Sequence, residues 1–355
     1  MAMARTGGVS PETPAARREC LPTLARAACH QRARNEKTTM TASRQTPAAG
    51  AAELARPTPS TPAASRLFDE ARSAEIVIAS IASATDPRLR QVLTSLVNHL
   101  HSFIKDVRLT EEEWANAIQF LTDTGQACTS TRQEFILLSD VLGASMLVDS
   151  LNNETGGIAT ESTVEGPFHL VVSPQRALGD NIANIDDGDP CLVTGTVTDD
   201  QGLPIPGARV DVWQADAHGF YDVQQSHLHP EGYLRGLFTA DESGRFWFRT
   251  IVPRYYPIPG DGPVGRLLQA TGRHPNRPAH IHFEVSSPGR RTLTTHLFVA
   301  DSPYLYSDTV FAVKSSLIHE FPQVDDPVQA REVGLPNPFR TVDFAVTLRA
   351  ADDTD

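Results

Sequence analysis

The chain has 355 residues, 40% of them hydrophobic, which is enough for a substantial core and suggests two domains or one large domain with appendages. Its net charge of −12 argues against nucleic acid as the main partner, and no apolar run approaches the ~20 residues of a membrane-spanning helix. The four cysteines, Cys20, Cys29, Cys128 and Cys191, lie far apart, a pattern of reduced thiols in a cytoplasmic protein rather than of a disulfide framework.

Residues 1–66 are rich in Ala, Pro, Thr, Ser and Arg, hold ten Lys/Arg against four Asp/Glu, and have no sustained apolar period. They read as a disordered leader that lacks the apolar core of a secretory signal, and Met40 is an alternative start. Residues 67–165 read as a helical domain. Asp86-Pro87 is a cap followed by a first-turn proline, and it precedes the stripe Leu89, Val92, Leu93, Leu96, Val97, Leu100. Thr110-Glu111-Glu112-Glu113 is a capping box that opens a helix with the stripe Trp114, Ile118, Leu121. Phe135, Leu138, Leu142, Met146 and Leu147 predict one further helix. Such apolar faces suit a bundle or a dimer surface.

Residues 166–355 read as a second domain. The period switches to two near residue 190, and strands are predicted at 191–197, 208–214, 245–250, 279–285, 293–299 and 344–348. Turns such as Asp199-Asp200-Gln201-Gly202 and Asp241-Glu242-Ser243-Gly244 separate them. Short strands without intervening helices predict an antiparallel β-sandwich, so the chain is mainly β with an α-helical N-terminal part. Residues 252–276 are rich in Pro and Gly and read as a long loop without regular structure, of the kind that carries function.

One predicted strand carries chemistry. In Arg277-Pro278-Ala279-His280-Ile281-His282-Phe283, period-two geometry turns His280 and His282 to one face, half of a metal site. No cysteine lies near enough for a structural zinc site. Glu284 shares the face, but three ligands at i, i+2 and i+4 of one strand span about 13 Å, too far for one ion. Tyrosine is the better partner. Only six occur. Tyr255-Tyr256 lie in the loop before the histidine strand, and Tyr221 follows the 208–214 strand. Two phenolates favour a hard ion such as Fe(III) over zinc or ferrous iron.

Gly219-Phe220-Tyr221-Asp222, Tyr256-Pro257-Ile258-Pro259-x-Asp261-Gly262-Pro263 and Arg273-His274-x-x-Arg277-Pro278-x-His280-x-His282 resemble the intradiol ring-cleavage dioxygenases in order, residue type and spacing. The resemblance implies one Fe(3+) per subunit held by Tyr221, Tyr256, His280 and His282, with Tyr256 preferred to Tyr255 because it directly precedes the Pro-x-Pro. It implies a catecholic substrate and O2, with the ring bond between the two hydroxylated carbons broken. Tyr256 would take a substrate proton, and Arg277 would stabilise negative charge on the ring. His296 stands where catechol-type members carry Gln and would support the ligands, or simply pack.

Gly166-Pro167-Phe168-His169 and Phe135-Ile136-Leu137-Leu138-Ser139-Asp140 look closest to the hydroxyquinol-cleaving members of that family. By that resemblance Leu137, Asp140, Val164, Gly166, Pro167, Ile258, Pro259, Arg277 and Val310 line the pocket, and Asp140 accepts the third hydroxyl that catechol lacks. Glu165 departs from that pattern and leaves a mixed specificity open. The family's helical element implies a homodimer that can enclose a lipid. Two other readings stand beside this one: a β-sandwich binding module whose histidines pack, and a zinc hydrolase built on His280 and His282.

Overall fold

The computed structural model describes residues 67–129, 132–169, 173–184 and 187–351, so the leader expected over residues 1–66 lies outside the described residues. The described chain falls into two compact units, one up to Asp123 and one from Thr124 onward. None of its helices is long and apolar enough to cross a membrane.

In the first unit α1 (Ser73–Ser80) packs on α2 (Pro87–Val107), and α3 (Glu111–Gln126) begins. Asp86 caps α2: its Oδ1 accepts the backbone N–H groups of Arg88 at 2.8 Å and Leu89 at 3.2 Å, and Pro87 takes a position whose N–H would have no partner. At α3 the capping box closes in both directions. Thr110 N–H donates to Glu113 Oε2 at 2.9 Å, and Glu113 N–H donates to Thr110 Oγ1 at 3.2 Å. Among the described residues the apolar stripe of α2 is exposed, with Leu96 56% and Phe103 52% exposed.

In the second unit the predicted helix through Phe135 and Leu147 is two helices, α4 (Glu134–Val141) and α5 (Ala144–Asn152). Gly143 between them has φ 73°, a left-handed conformation that ends the first and re-aims the second. One sheet is built on β1 (Pro190–Asp199). It pairs antiparallel with β4 (Arg245–Ile251) and parallel with β11 (Phe339–Asp343) and β12 (Val346–Leu348), while β10 (Gln323–Val324) adds to β11. The other sheet runs in the order β3 (Arg235–Thr239), β2 (Arg209–Gln214), β7 (His280–Ser286), β8 (Leu293–Val299), β9 (Ile318–His319), with β8 and β9 parallel. A separate pair joins β5 (Tyr256–Pro257) to β6 (Asn276–Arg277), and α6 (Pro263–Ala270) and α7 (Pro327–Val333) complete the elements.

The two sheets are therefore mixed rather than purely antiparallel. Parallel pairing needs a long crossover, and β11 and β12 reach β1 only after the rest of the unit has been built. The stretch 252–276 is also more regular than its composition suggests. Gly262-Pro263 starts α6, because proline at the first helical position loses no hydrogen bond. Strand β3 escapes the alternation rule because Arg235 is 1% exposed, a charged residue in an inward place.

Phenylalanines fill the space between the sheets: the Phe283 ring centre lies 6.1 Å from Phe246, 6.5 Å from Phe248 and 4.9 Å from Phe344. Strand β7 buries Ile281, Phe283 and Val285 in that core, each worth roughly 1.5–3 kcal/mol relative to exposure. Alternation then turns His280, His282 and Glu284 to the opposite face. The register across β2, β7 and β8 sets Trp213, His282 and His296 in one row and Asp211, Glu284 and Thr294 in the next.

The segment before the sandwich crosses this face and is held by His169. Its Nδ1 lies 2.7 Å from Glu165 Oε1, its Nε2 lies 3.5 Å from Asp211 Oδ2, and its ring packs 4.4 Å from Trp213. Burial disfavours the imidazolium, but Asp211 and Glu165 outweigh it and raise the pKa from 6.5 to about 9. A histidine pKa raised by folding stabilises fully below its unfolded value of 6.5 and loses that contribution as the pH rises through about 9. His169→Gln is therefore expected to lower stability by roughly 1–3 kcal/mol near pH 6 and to have little effect above pH 10, measured by urea unfolding at both pH values.

Candidate metal centre

The site starts from the outward face of β7. His280 Nδ1 lies 2.7 Å from the Pro278 carbonyl, so Nδ1 carries the ring proton and Nε2 presents a lone pair. His280 Nε2 and His282 Nε2 stand 3.1 Å apart. Burial drives both imidazoles well below the usual histidine range, and the Arg277 charge adds to it. The Nε2 atoms of two neutral imidazoles thus stand in contact, an arrangement that suits a cation bound between them.

Two loops bring phenols to the same point. After β2, Asp216 Oδ1 accepts the backbone N–H groups of His218 at 2.8 Å and Phe220 at 2.9 Å, which turns the chain back. Gly219 in this turn has φ 88°, and a Cβ there would lie 2.8 Å from the Tyr255 carbonyl oxygen and 3.1 Å from Tyr256 Cβ. Glycine thus allows the two tyrosine loops to close on each other. Asp222 anchors the next residue through its buried ion pair with Arg235 at 2.6 Å. Tyr256 is set by pairing β5 with β6, opposite Arg277.

The phenol oxygens of Tyr221 and Tyr256 lie 3.3 Å apart, Tyr221 Oη is 3.0 Å from His282 Nε2, and Tyr256 Oη is 3.5 Å from His280 Nε2. Burial pushes the Tyr221 phenol well up, and Tyr256 beside it adds to the shift. A bound cation would favour the ionised form and reverse that. Two oxygens and two nitrogens thus converge in a buried volume that one ion can fill, and the donor set fits a metal site. Tyr255 stays outside it, with its ring 5.1 Å from Tyr304 and the Arg254 guanidinium 5.2 Å above it.

His296 is fully buried beside the ligand strand, its ring 4.2 Å from that of His282 and 4.6 Å from that of His280. His280, His282 and His296 offer ring nitrogens within 4.8 Å of one another. His296 Nδ1, however, hydrogen-bonds the Thr163 hydroxyl. It thus packs against the His282 ring while holding Thr163.

Arg277 is 3% exposed, with Nη1 at 3.4 Å from both Tyr256 Oη and His280 Nε2 and Nε at 3.3 Å from Asp308 Oδ1. Burial acts against its charge, and Asp308 with the two phenols outweighs that, so its pKa ends above the ordinary arginine value. Its Nη2 is buried and has no hydrogen-bond partner among the described residues.

The other expected site residues fall on four segments. Leu137 and Asp140 are on α4, half-buried and buried respectively, and Asp140 Oδ1 has no partner among the described residues. Burial pushes the Asp140 carboxyl up, while Ser145 and the Arg277 charge pull it down. Glu134 Oε1 accepts the Val264 N–H at 3.1 Å, and Arg132 pairs with Asp261 at 2.8 Å. These contacts tie α4 to the loop of Ile258, which is buried, and Pro259, which is half-buried. Arg273 donates to the carbonyls of Val141 at 2.6 Å and Thr309 at 2.8 Å and so joins α4 to the turn of buried Val310. In the crossing segment Val164 is half-buried and Pro167 exposed, and a Cβ on Gly166 would lie 3.3 Å from His282 Cε1. Sequence reasoning missed Asp308, Thr163 and the contact of the His169 ring with Trp213. Asp308 and Thr163 belong to no periodic pattern or spacing motif, and only long-range folding brings these contacts in.

Two family models match the chain, "Catechol dioxygenase N terminus" over residues 86–159 and "Dioxygenase" over residues 164–350. The hydroxyquinol 1,2-dioxygenase of Rhizobium sp. (strain MTP-10005) is 52% identical over 270 residues, 76% of this chain and 92% of that protein. The 6-chlorohydroxyquinol 1,2-dioxygenase of Cupriavidus pinatubonensis is 52% identical over 260 residues, 73% of this chain and 94% of that protein. The crystal structure of hydroxyquinol 1,2-dioxygenase from Pseudomonas putida DLL-E4 superposes with a TM-score of 0.74 at 46% identity, over 79% of this chain and 99% of that one. With two family models matching its helical part and its sheets and a relative 52% identical over most of both chains, the chain belongs to the intradiol ring-cleavage dioxygenase family.

Proposed function

We propose that the protein cleaves hydroxyquinol (benzene-1,2,4-triol) with O2 between its two vicinal hydroxylated carbons, giving 3-hydroxy-cis,cis-muconate, the enol form of maleylacetate. The observation that carries this reading is the convergence of Tyr221, Tyr256, His280 and His282 beside two unpartnered polar atoms, Arg277 Nη2 and Asp140 Oδ1. The two phenolates make Fe(III) the fitting ion, one per subunit. Tyr221, Tyr256, His280 and His282 would hold such an ion, which when bound would supply the Lewis-acid chemistry that activates a catecholic ring toward O2.

The protein's own groups do the rest. Tyr256 opens the short strand β5 and its oxygen is held only by contacts of 3.3 to 3.5 Å, so it can move and accept a substrate hydroxyl proton. Arg277 Nη2, a buried donor, faces the negative charge that develops on the ring. His280 keeps its ligand nitrogen unprotonated through the Pro278 carbonyl. Asp140 accepts the third hydroxyl. Glu165, the departure from the hydroxyquinol pattern, engages His169 at 2.7 Å, so its carboxylate has a partner apart from the ring. The names of the Rhizobium and Cupriavidus relatives, which specify hydroxyquinol and its chlorinated form, support the same substrate class. The exposed stripe of α2 supports a homodimer, since a contiguous apolar face of this kind is uncommon on a monomer.

Purified protein with stoichiometric iron should be wine-red from phenolate-to-iron charge transfer, and Tyr221→Phe and Tyr256→Phe should each weaken or shift the visible band; a colourless iron-loaded protein, or both variants keeping the wild-type band, sinks the iron reading. Oxygen uptake should favour hydroxyquinol over catechol, with a ring-opened dicarboxylate as product. Asp140→Ala should reduce that preference by about tenfold or more, the worth of one hydrogen bond to a charged group, and an unchanged ratio removes Asp140 from recognition. Sedimentation at micromolar protein should give a dimer, and Leu96→Glu should move it toward monomer.

A further inference from the structure

Outside the four-ligand cluster, the buried carboxylate in contact with Arg277 is that of Asp308. It is 5% exposed and sits in the turn that follows β8. Its Oδ1 faces Arg277 Nε at 3.3 Å and accepts the Val310 N–H at 3.3 Å, and its Oδ2 accepts the Ala312 N–H at 3.0 Å. Its carbonyl accepts the Phe311 N–H at 3.1 Å. Phe311 has φ 60°, a left-handed conformation that a bulky residue keeps only when its surroundings over-determine it. A second tie runs beside the first: Thr309 N–H donates to the carbonyl of Asn276, the neighbour of Arg277 on β6.

We infer that Asp308 is a positioning residue that aims the Arg277 guanidinium at the substrate ring while folding the turn that presents Val310 to the pocket. The inference rests on the role proposed above for Arg277. A guanidinium is planar and its donors leave in fixed directions. With Nε held by Asp308 and Nη1 at 3.4 Å from Tyr256 Oη, the direction of the unpartnered Nη2 is no longer free. Without Asp308 the same side chain could turn toward the Asp140 carboxylate, whose charge it already feels. The donor would then be lost to the ring and the acceptor lost to the third hydroxyl.

The test compares D308N and D308E, each alone and combined with Arg277→Ala, for kcat, KM, bound iron, thermal midpoint and the visible band before and after anaerobic addition of hydroxyquinol. Each single variant is expected to lower kcat about tenfold or more, since small misplacements of a positioning group have effects of that size. Iron content and the band of the substrate-free protein should stay at wild-type values, and the band shift on binding hydroxyquinol should change. In the Arg277→Ala chain the Asp308 substitutions should have no further effect on kcat, because residues that act through one another are not additive. If D308N does not accumulate as folded protein, D308E, which keeps the charge and moves it by one methylene, decides. Wild-type kcat in D308E, or an undiminished loss in the Arg277→Ala chain, overturns the inference while leaving the role of Arg277 standing. Wild-type kcat in Arg277→Ala alone overturns that role, and this inference with it.

Discussion

Two imidazole nitrogens face each other at 3.1 Å in a buried space, on rings that burial keeps neutral, with a buried guanidinium 3.4 Å from one of them. A well-packed sandwich stands behind that contact and sets it. Ile281 and Phe283, on the core face of β7, are fully buried, and alternation leaves His280 and His282 no direction but the opposite face. Trp213 stacks on His282 at 4.7 Å from one neighbouring strand and His296 contacts it from the other. The tyrosines complete the set of donors that a cation would join. The packed core holds in place the cluster on which the site's chemistry depends.

Polar contacts over long sequence distances hold the walls around that cluster. Glu134 and Arg132 tie α4 to the loop after Tyr256, Arg273 ties α4 to the Val310 turn, and Asp308 ties that turn to Arg277. Each joins a segment that carries an expected pocket residue to another such segment. A shift in one wall is therefore felt by the others. The face beyond the ligands is ordered in the same manner by His169, which stands between Glu165, Asp211 and the Trp213 ring.

Local rules were legible wherever the decisive partner is near in sequence. The caps at Asp86 and Thr110 stand as their spacing predicts, because a cap is a contact over two or three residues. Strand β8 covers the predicted residues 293–299, because alternation there meets a buried and a covered face. Such rules failed where distant contacts decide. Strand β3 hides a buried arginine whose partner, Asp222, lies in another loop. The parallel pairing of β11 and β12 with β1 joins residues almost 150 positions apart, and no local period records it.

His280 and His282 share a face for a reason internal to their own strand, so the sequence by itself determined half of the donor set. The order of Tyr221, Tyr256 and the histidine strand pointed to a family, and the family was correct. The Pro-x-Pro after Tyr256 already favoured it over Tyr255, but how closely the two loops approach and where the arginine points were decided only by the tertiary structure. Those outcomes depend on a glycine that permits the loops to touch, on strand pairing that sets Tyr256 opposite Arg277, and on a carboxylate at Asp308 that no motif contains. Direction is a property of the strand, whereas convergence is a property of the fold.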